Sequence, residues 1–227
     1  MNNEDNTIRL AKRVADMVPC SRREAEIYIE GAYVSVDGAI VEEPGARVAP
    51  GQDVRLAPDA TLLETPPVTI LLHKPAGADP LACLLPEARS KEAQRVRFLK
   101  SHLRNLTACL PLERAASGLF VFTQDFRVAR KLVEEAATVE QELIVDVEGR
   151  IADDGLARLN QGSGKVSWQN EQRLRFAVKP PKPALIGKLC ADVGLTATAI
   201  KRQRIGRISM AGLAVGEWRY LQGYERF

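Results

Sequence analysis

Hydrophobic positions near the N-terminus recur with the period of two short helices. Charged residues separate a set of apolar side chains at helical spacing: Ile8, Leu10, Ala11, Val14, Ala15 and Val18. Ser21 and Glu24 then form the reciprocal capping-box pattern, which predicts that a second helix starts there and runs to Glu30. Gly31 is expected to end this helix in the left-handed conformation.

Strand-like runs follow the two helices, and a proline pair ends the region. Residues 32–36 (AYVSV) and 39–41 (AIV) flank Asp37-Gly38, a dipeptide typical of two-residue β-hairpins, and a third run follows at 54–56. The segment TLLETPP ends in two prolines, which cannot continue a helix. We therefore predict a small domain at residues 1–60, a linker at 61–67 and a second domain at 68–227.

The second domain alternates predicted strands with predicted helices. The pattern indicates strands at 68–72, 119–123, 142–147, 171–178, 197–205 and 218–221, and helices at 91–103, 128–136 and 184–193. Such interleaving with hairpin-like connections favours an α+β fold, in which helices flank a central mixed or antiparallel sheet.

Composition narrows the class of protein and its location. The apolar fraction of 45% and the charged fraction of 27% are typical of a soluble globular protein. No apolar run approaches the roughly 20 residues of a membrane-spanning helix, and the polar start MNNEDNTIRL does not resemble a signal peptide. We expect a cytoplasmic protein that does not associate with membranes.

The cysteines and histidines do not form a metal-binding pattern. The four cysteines lie far apart, and neither of the two histidines has a partner at metal-ligand spacing. We therefore expect no metal site and no cofactor.

Charge is distributed unevenly along the chain. The formal net charge is only +3, but residues 1–60 hold seven Lys and Arg against eleven Asp and Glu, whereas residues 61–227 hold twenty-five against eighteen. Charge alone therefore does not identify a nucleic-acid-binding surface in the first domain, and the larger domain is the basic one.

The first domain resembles a known RNA-binding module. Its two helices and the segment GAYVSVDGAIVEEPGARVAPGQDV are similar to the alpha-L motif, the RNA-binding domain named after the fourth small-subunit ribosomal protein. The resemblance implies that the helices present these side chains to structured RNA: Arg9, Lys12, Arg13, Ser21, Arg22 and Arg23. Phosphates bind readily to Arg, to Lys and to the amides at a helix start such as Ser21. The alternative is that these charges only form a solvated helix face.

Three segments of the second domain resemble bacterial ribosomal-RNA pseudouridine synthases of the RsuA, RluB and RluF group. They are ILLHKPAG (70–77), LERAASGLFVFTQD (112–125) and VGLTATAIKRQRIGRISMAGLAVGEWRYL (193–221). The resemblance implies the fold of these isomerases, a basic groove for RNA and chemistry that needs one Asp but no metal or cofactor. The target uridine must leave its stack before the reaction. The basic residues expected to contact RNA in this domain are Lys74, Lys201, Arg202, Arg204 and Arg207, although Lys74 could instead point into solvent.

The chain departs from the family pattern at its reactive positions. Glu113 stands at the position of the catalytic Asp, Leu143 at that of the Tyr that packs against the flipped base, and Ala184 at that of the Arg that pairs with the Asp. Ala116 also replaces a Thr of the motif. A misplacement of about 1 Å at a reacting atom can cost on the order of 100-fold in rate, and the loss of an aromatic stack costs about 1–3 kcal/mol per base.

These departures leave three hypotheses for the function. The first is an RNA-binding protein, with structured and in particular ribosomal RNA as its partner, that has little or no uridine isomerisation. The second is an active pseudouridine synthase in which Glu113 acts in place of Asp. The third is a protein-interaction scaffold, against which the basic KRQRIGR and SRREAE segments argue.

Overall fold

The chain forms two compact units. The computed structural model describes residues 6–91, 96–161, 164–179 and 184–227. The first unit extends to Pro66 and also includes Arg97–Arg104, whereas the second contains Pro67–Val96 and Asn105–Phe227. The sequence predicts two continuous domains with a linker at 61–67. The structure adds Arg97–Arg104 to the first unit.

The first unit packs two helices against short strands. In chain order its elements are β1 (Ile8–Arg9), α1 (Leu10–Met17), α2 (Arg22–Glu30), β2 (Val34–Val36), β3 (Ala39–Ile40), β4 (Arg47–Val48) and β5 (Val54–Leu56). Strand β1 pairs with β4, and the other three strands form a sheet in the order β3, β2, β5. Apolar side chains from both helices and from β2, β4 and β5 form its core. The apolar side chains whose spacing predicts the two helices are thus the ones that the core buries.

Local signals in the first unit are mostly confirmed, with one correction at the end of α2. Ser21 and Glu24 form the complete capping box, and Asp37 (φ 51°) with Gly38 (φ 84°) makes the predicted hairpin turn. Gly31, however, has φ −75°, and the left-handed residue is Ala32 at φ 58°. A glycine is needed at position 31 for a different reason, since a Cβ there would lie 2.7 Å from the Tyr33 ring.

The helix predicted at residues 91–103 is wrong over the described part of that range. Residues 97–99 have no helical structure, Lys91 and Lys100–Leu103 are in 3₁₀ conformation rather than α-helical, and residues 92–95 lie outside the described chain. Leu99 and His102 are buried in the first unit. Tertiary packing has therefore overridden a helical pattern that is favourable only in isolation.

The second unit is built on a mixed sheet. Its strands are β6 (Thr69–Lys74), β7 (Thr107–Cys109), β8 (Ser117–Thr123), β9 (Gln141–Gly149), β10 (Gly164–Asn170), β11 (Arg173–Val178), β12 (Leu195–Ile205), β13 (Ile208–Ser209) and β14 (Trp218–Tyr220). Within the described residues the strand order is β10, β11, β9, β12, β8, β6, β14, with β13 added to β12 and β7 added to β8. Because β12 runs parallel to β8 and antiparallel to β9, the sheet is mixed. The α+β class predicted from the sequence is confirmed.

Helices cover the sheet and close two hydrophobic clusters. The helices are α3 (Phe126–Ala129), which continues as a π-helical turn over Arg130–Glu134, α4 (Gly155–Leu159) and α5 (Ala184–Ala191). Along β9 the buried side chains Leu143, Val145 and Val147 alternate with less buried ones, as expected for a strand with one buried face. A second cluster lies between β6, β8 and the π-helical turn and includes Cys109 and Leu132. No helix among residues 6–91, 96–161, 164–179 and 184–227 is long and apolar enough to cross a bilayer.

The linker prediction leads to a testable expectation for a shortened chain. A fragment from Val68 onward should melt cooperatively, because both hydrophobic clusters of the second unit come from residues after 68. Residues 97–104 would lose the partners that bury Leu99 in the full chain, so limited proteolysis should cut the fragment there and should cut the full-length protein at 61–67. An insoluble fragment, or one without a cooperative melt, would show that the two parts share one core.

Candidate functional site

Two loops of the second unit meet where β6 ends and β8 begins. The Lys74 ammonium, at the end of β6, lies beneath the loop that carries Glu113 and donates hydrogen bonds to the carbonyl oxygens of Arg114 (2.9 Å), Ala116 (2.8 Å) and Pro75 (3.1 Å). The residue is only 1% exposed, and this burial lowers the pKa of the Lys74 ammonium. The phosphate contact predicted for Lys74 does not fit this geometry, because all three of its N–H groups already have acceptors inside the protein.

A reciprocal pair of hydrogen bonds joins the two loops. The Gly77 amide donates to the Arg114 carbonyl (2.7 Å), and Arg114 Nε donates back to the Gly77 carbonyl (3.0 Å). Gly77 has φ +78°, a conformation that glycine adopts without strain. The segments HKPAG and LERAASG, which are separate in sequence, therefore form one rigid structure, and Arg114 is a structural residue that the sequence analysis did not single out.

Glu113 projects from this rigid loop into solvent. Its backbone carbonyl accepts a hydrogen bond from the Ala116 amide (3.1 Å), so the loop closes as a tight turn. The side chain is exposed, and among the described residues no hydrogen bond or ion pair reaches its carboxylate. The neighbouring Arg114 guanidinium is directed to Gly77 instead. The loop is thus fixed while its carboxylate has no charge partner in the described chain.

Leu143 lies inside the hydrophobic core. It is 5% exposed, and its register partners are Phe176 on β11 and Arg202 on β12. Position 143 therefore presents an aliphatic side chain that packs with the core and offers no ring to a ligand.

The third departing position starts a helix. Ala184 is the first residue of α5, and residues 180–183 lie outside the described chain. Alanine carries no charge, so position 184 cannot supply a cation to the Glu113 loop.

Arg202 is buried and does not form part of an RNA-binding surface in this structure. It is 2% exposed, and its guanidinium donates to the Leu119 carbonyl (2.8 Å) and to Gln141 Oε1 (2.9 Å). Burial lowers the pKa of Arg202 to about 9. The RNA contact predicted for this residue does not fit its position, because a bound phosphate cannot reach a side chain enclosed in the sheet.

The other cations of the KRQRIGR segment differ in how accessible they are to a phosphate. Arg204 forms an ion pair with Glu140 (2.6 Å) and lies 3.4 Å from Glu142, so its charge is largely compensated. Lys201 lines an open groove of about 360 Å³ on the polar face of the sheet, and Arg207 is exposed. Of this segment, Lys201 and Arg207 are the residues that remain open to a phosphate.

The cations of the first unit lie at its surface. Arg9, Lys12, Arg22 and Arg23 are exposed, and Arg13 is half-buried. Arg23 forms an ion pair with Glu64 at 3.3 Å, but both side chains are largely exposed, so this pair stabilises the unit little.

Ser21 is already engaged within its own helix cap. Its hydroxyl accepts from the Glu24 amide (3.2 Å), and its backbone amide donates to the Glu24 carboxylate (2.6 Å). These bonds lower the pKa of Glu24, which stays ionised and supplies the negative charge expected at a helix start. A phosphate bound there would have to displace the Glu24 carboxylate from the Ser21 amide, so Arg22 and Arg23 are the better candidates for RNA contacts.

No metal site emerges from the described side chains. Within residues 6–91, 96–161, 164–179 and 184–227, no group of three or more His, Cys, Asp and Glu side chains could hold a metal ion. The expectation that the protein uses neither metal nor cofactor stays a prediction.

Comparison with known proteins adds relatives for both units. Residues 8–54 match the model of the S4 domain, the family described above as the alpha-L motif. The chain is 25% identical over 230 residues to the dual-specificity RNA pseudouridine synthase RluF of Escherichia coli (strain K12), covering 96% of this chain and 76% of the relative. It is 24% identical over 234 residues to the ribosomal large subunit pseudouridine synthase B of Bacillus subtilis (strain 168), covering 96% of this chain and 93% of the relative.

A solved structure supports the fold. The crystal structure of a pseudouridylate synthase matches 95% of this chain and 96% of its own length with a TM-score of 0.58 and 16% sequence identity. At that identity the similarity establishes the architecture alone. The pseudouridine-synthase fold predicted from the three sequence segments is therefore confirmed.

Proposed function

Because the chain belongs to the family of bacterial ribosomal-RNA pseudouridine synthases with an N-terminal S4 domain, we propose that it binds structured RNA and has little or no uridine isomerase activity. The observation that carries this proposal is Leu143, which is buried in the core at the position where the resemblance expects a base-stacking Tyr. Glu113 adds to it, since its carboxylate has no cationic partner among the described residues.

The RNA in question is proposed to be ribosomal. The relative from Bacillus subtilis is named for the large ribosomal subunit, and the S4 domain spans the part of the chain with exposed Arg9, Lys12, Arg22 and Arg23. Binding to ribosomal RNA also supports a cytoplasmic location. Lys201 and Arg207 of the second unit are proposed to add a second set of phosphate contacts.

An active synthase that uses Glu113 is the second candidate. One observation favours it: the Glu113 loop is held by Lys74 and Gly77, and the carboxylate is exposed to whatever binds there. A fixed carboxylate is a requirement of the chemistry, but without a stacking ring and a cation it is not sufficient.

RNA binding through the first unit has a direct test. In the variant with Arg22→Ala and Arg23→Ala, affinity for a transcribed large-subunit ribosomal RNA should fall at least about tenfold, since each charge-assisted contact contributes about 1.5–3 kcal/mol. The slope of log affinity against log salt should decrease by about 2, one for each lost phosphate contact. Filter binding or anisotropy over a range of salt concentrations measures both quantities.

The matched control removes two exposed arginines elsewhere. The variant with Arg55→Ala and Arg127→Ala loses the same charge from the strand β5 and from helix α3. Its affinity should change much less. Equal effects in the two variants would mean that only net charge matters, and no binding by the wild-type protein would favour the protein-interaction scaffold.

A further inference from the structure

The segment Arg97–Arg104, here called the latch, belongs to the first compact unit although it lies more than thirty residues beyond Pro66 in the chain. Leu99 is 6% exposed and His102 2% exposed, so the latch buries side chains rather than lying loosely on the surface. The S4-domain match ends at residue 54 and does not include it. The latch is therefore a part of the first unit that the rest of the chain supplies.

Arg97 contacts the C-terminal end of helix α2. Its Nη2 donates to the Ala32 carbonyl (2.9 Å), and its guanidinium lies 5.5 Å from the centre of the Tyr33 ring. On the side of Gly31 the ring is packed so closely that a Cβ there would lie 2.7 Å from it. Ala32 follows the Gly31 C-cap, so this hydrogen bond satisfies a backbone carbonyl of the turn that comes directly after α2. Arg97 therefore fixes both the helix end and the ring that follows it.

A second contact comes from the backbone of the latch. The Lys100 amide donates to Glu42 Oε2 at 2.7 Å, whereas the Lys100 side chain is exposed. The latch carries Arg97, Lys100 and Arg104 and no acidic residue, and residues 1–60 are acidic in balance. Charge complementarity thus favours packing of the latch against residues 1–60.

The contacts of Arg97 and the cations proposed to bind RNA lie at opposite ends of α2. Arg22 and Arg23 occupy its first turn, whereas Arg97 binds just beyond its last turn. Nine helical residues separate the two ends by about 13 Å. Arg97 is therefore too far from Arg22 to bind the same phosphate, so an effect of Arg97 on the contacts of Arg22 and Arg23 has to act through the position of the helix.

We propose that Arg97 is a positioning residue for RNA recognition: it holds the C-terminal end of α2 and thereby orients the cations at the start of that helix. This inference rests on the proposed RNA binding by the first unit. A helix of two and a half turns is marginal on its own, so its orientation depends on such tertiary contacts.

The test compares Arg97→Ala with Lys100→Ala in the full-length protein. Both variants lose one positive charge from the latch, but only Arg97→Ala removes the bond to Ala32 and the contact with Tyr33. In Arg97→Ala we expect hydrogen exchange of residues 22–36 in the free protein to rise about tenfold, and affinity for the large-subunit RNA transcript to fall up to about tenfold with an unchanged salt slope. Lys100→Ala should leave exchange and affinity near the wild-type values. Arg97→Lys should recover part of the affinity, because an ammonium can still donate to the Ala32 carbonyl.

Several outcomes would overturn the inference. Exchange and affinity in Arg97→Ala equal to those of the wild type would show that the latch does not position α2. A similar loss of affinity in both variants, with a smaller salt slope, would show that the latch contacts phosphates directly. Absence of RNA binding by the wild type would contradict the proposed function and the role in recognition together, and the exchange data would then report only on the stability of α2. A melting curve for each variant separates these effects from general unfolding.

Discussion

The wild-type protein is expected to release no tritium above background from uridine-labelled large-subunit ribosomal RNA, and Glu113→Asp alone is expected to leave that result unchanged. Shortening the side chain would restore the reach of the family Asp, but the carboxylate would still lack a charge partner among the described residues, and Leu143 would still offer no ring to a flipped base. A nucleophile that is present but poorly aimed contributes little to the rate.

Restoring all three positions is the least change that could produce activity. The variant with Glu113→Asp, Leu143→Tyr and Ala184→Arg should show measurable tritium release, provided that it folds. Leu143 is 5% exposed, and placing a larger ring in a packed core costs about 1–3 kcal/mol, so the melting temperature must be measured beside the activity. The effects of such residues do not add, so the triple variant cannot be forecast from the single ones.

Glu113→Ala is the control for the opposite result. Turnover by the wild-type protein that disappears in Glu113→Ala would make Glu113 a working catalytic residue and would establish the second candidate function. Turnover that persists in Glu113→Ala would point to another residue or to a contaminating enzyme. The assay therefore separates a binding protein from an enzyme with a substituted catalytic group.

Sequence patterns predict most of the fold because the helical spacing of apolar residues and the apolar runs of strands are both clear in this chain. The apolar face of α1, the capping box at Ser21 and the hairpin at Asp37-Gly38 all depend on contacts within a few residues, and each is confirmed. Strands such as β6 and β8 were found because they are continuous apolar runs of the kind buried on both faces. The sequence does not predict strand β10, because the segment GKVSWQN contains only two large apolar residues, Val166 and Trp168.

The candidate site was less predictable because its geometry depends on pairings between distant segments. No local pattern shows that Lys74 ends beneath the loop of Arg114 and Ala116, or that Arg202 is enclosed between Leu119 and Gln141. A cation in a basic segment is usually solvated, which is why Arg202 is predicted to contact RNA, whereas the prediction for Lys74 depends on its position between a strand and Pro75. The latch illustrates the same difficulty, since its helical pattern gave no indication of the acceptors at Ala32 and Glu42.

Replacement of Lys74 by Met should cause a large loss of stability in the second unit. The substitution keeps a long unbranched side chain but removes the donor from three buried or partly buried carbonyl groups, those of Pro75, Arg114 and Ala116. The Arg114 carbonyl keeps its hydrogen bond from the Gly77 amide, so the Pro75 and Ala116 carbonyls are the ones that lose their ammonium donor. Each unsatisfied buried acceptor costs about 1–3 kcal/mol, so a loss of about 3 kcal/mol is expected after removal of the buried ammonium offsets part of the cost. For a chain of this length that corresponds to a decrease of about 6–12 °C in melting temperature.

The matched control for Lys74→Met is Lys165→Met, which removes an exposed ammonium from β10 of the same unit. Its melting temperature should stay within about 2 °C of the wild-type value, because surface substitutions usually change stability by no more than about 0.5 kcal/mol.

Hydrogen exchange should locate the effect of Lys74→Met, since the Ala116 amide donates to the Glu113 carbonyl only while the loop keeps its turn. Lys74→Met should therefore accelerate exchange at Ala116 and at Gly77, whose amide bonds the same Arg114 carbonyl that Lys74 holds. Equal melting temperatures and equal exchange at these two amides in both variants would mean that the Glu113 loop keeps its shape without Lys74.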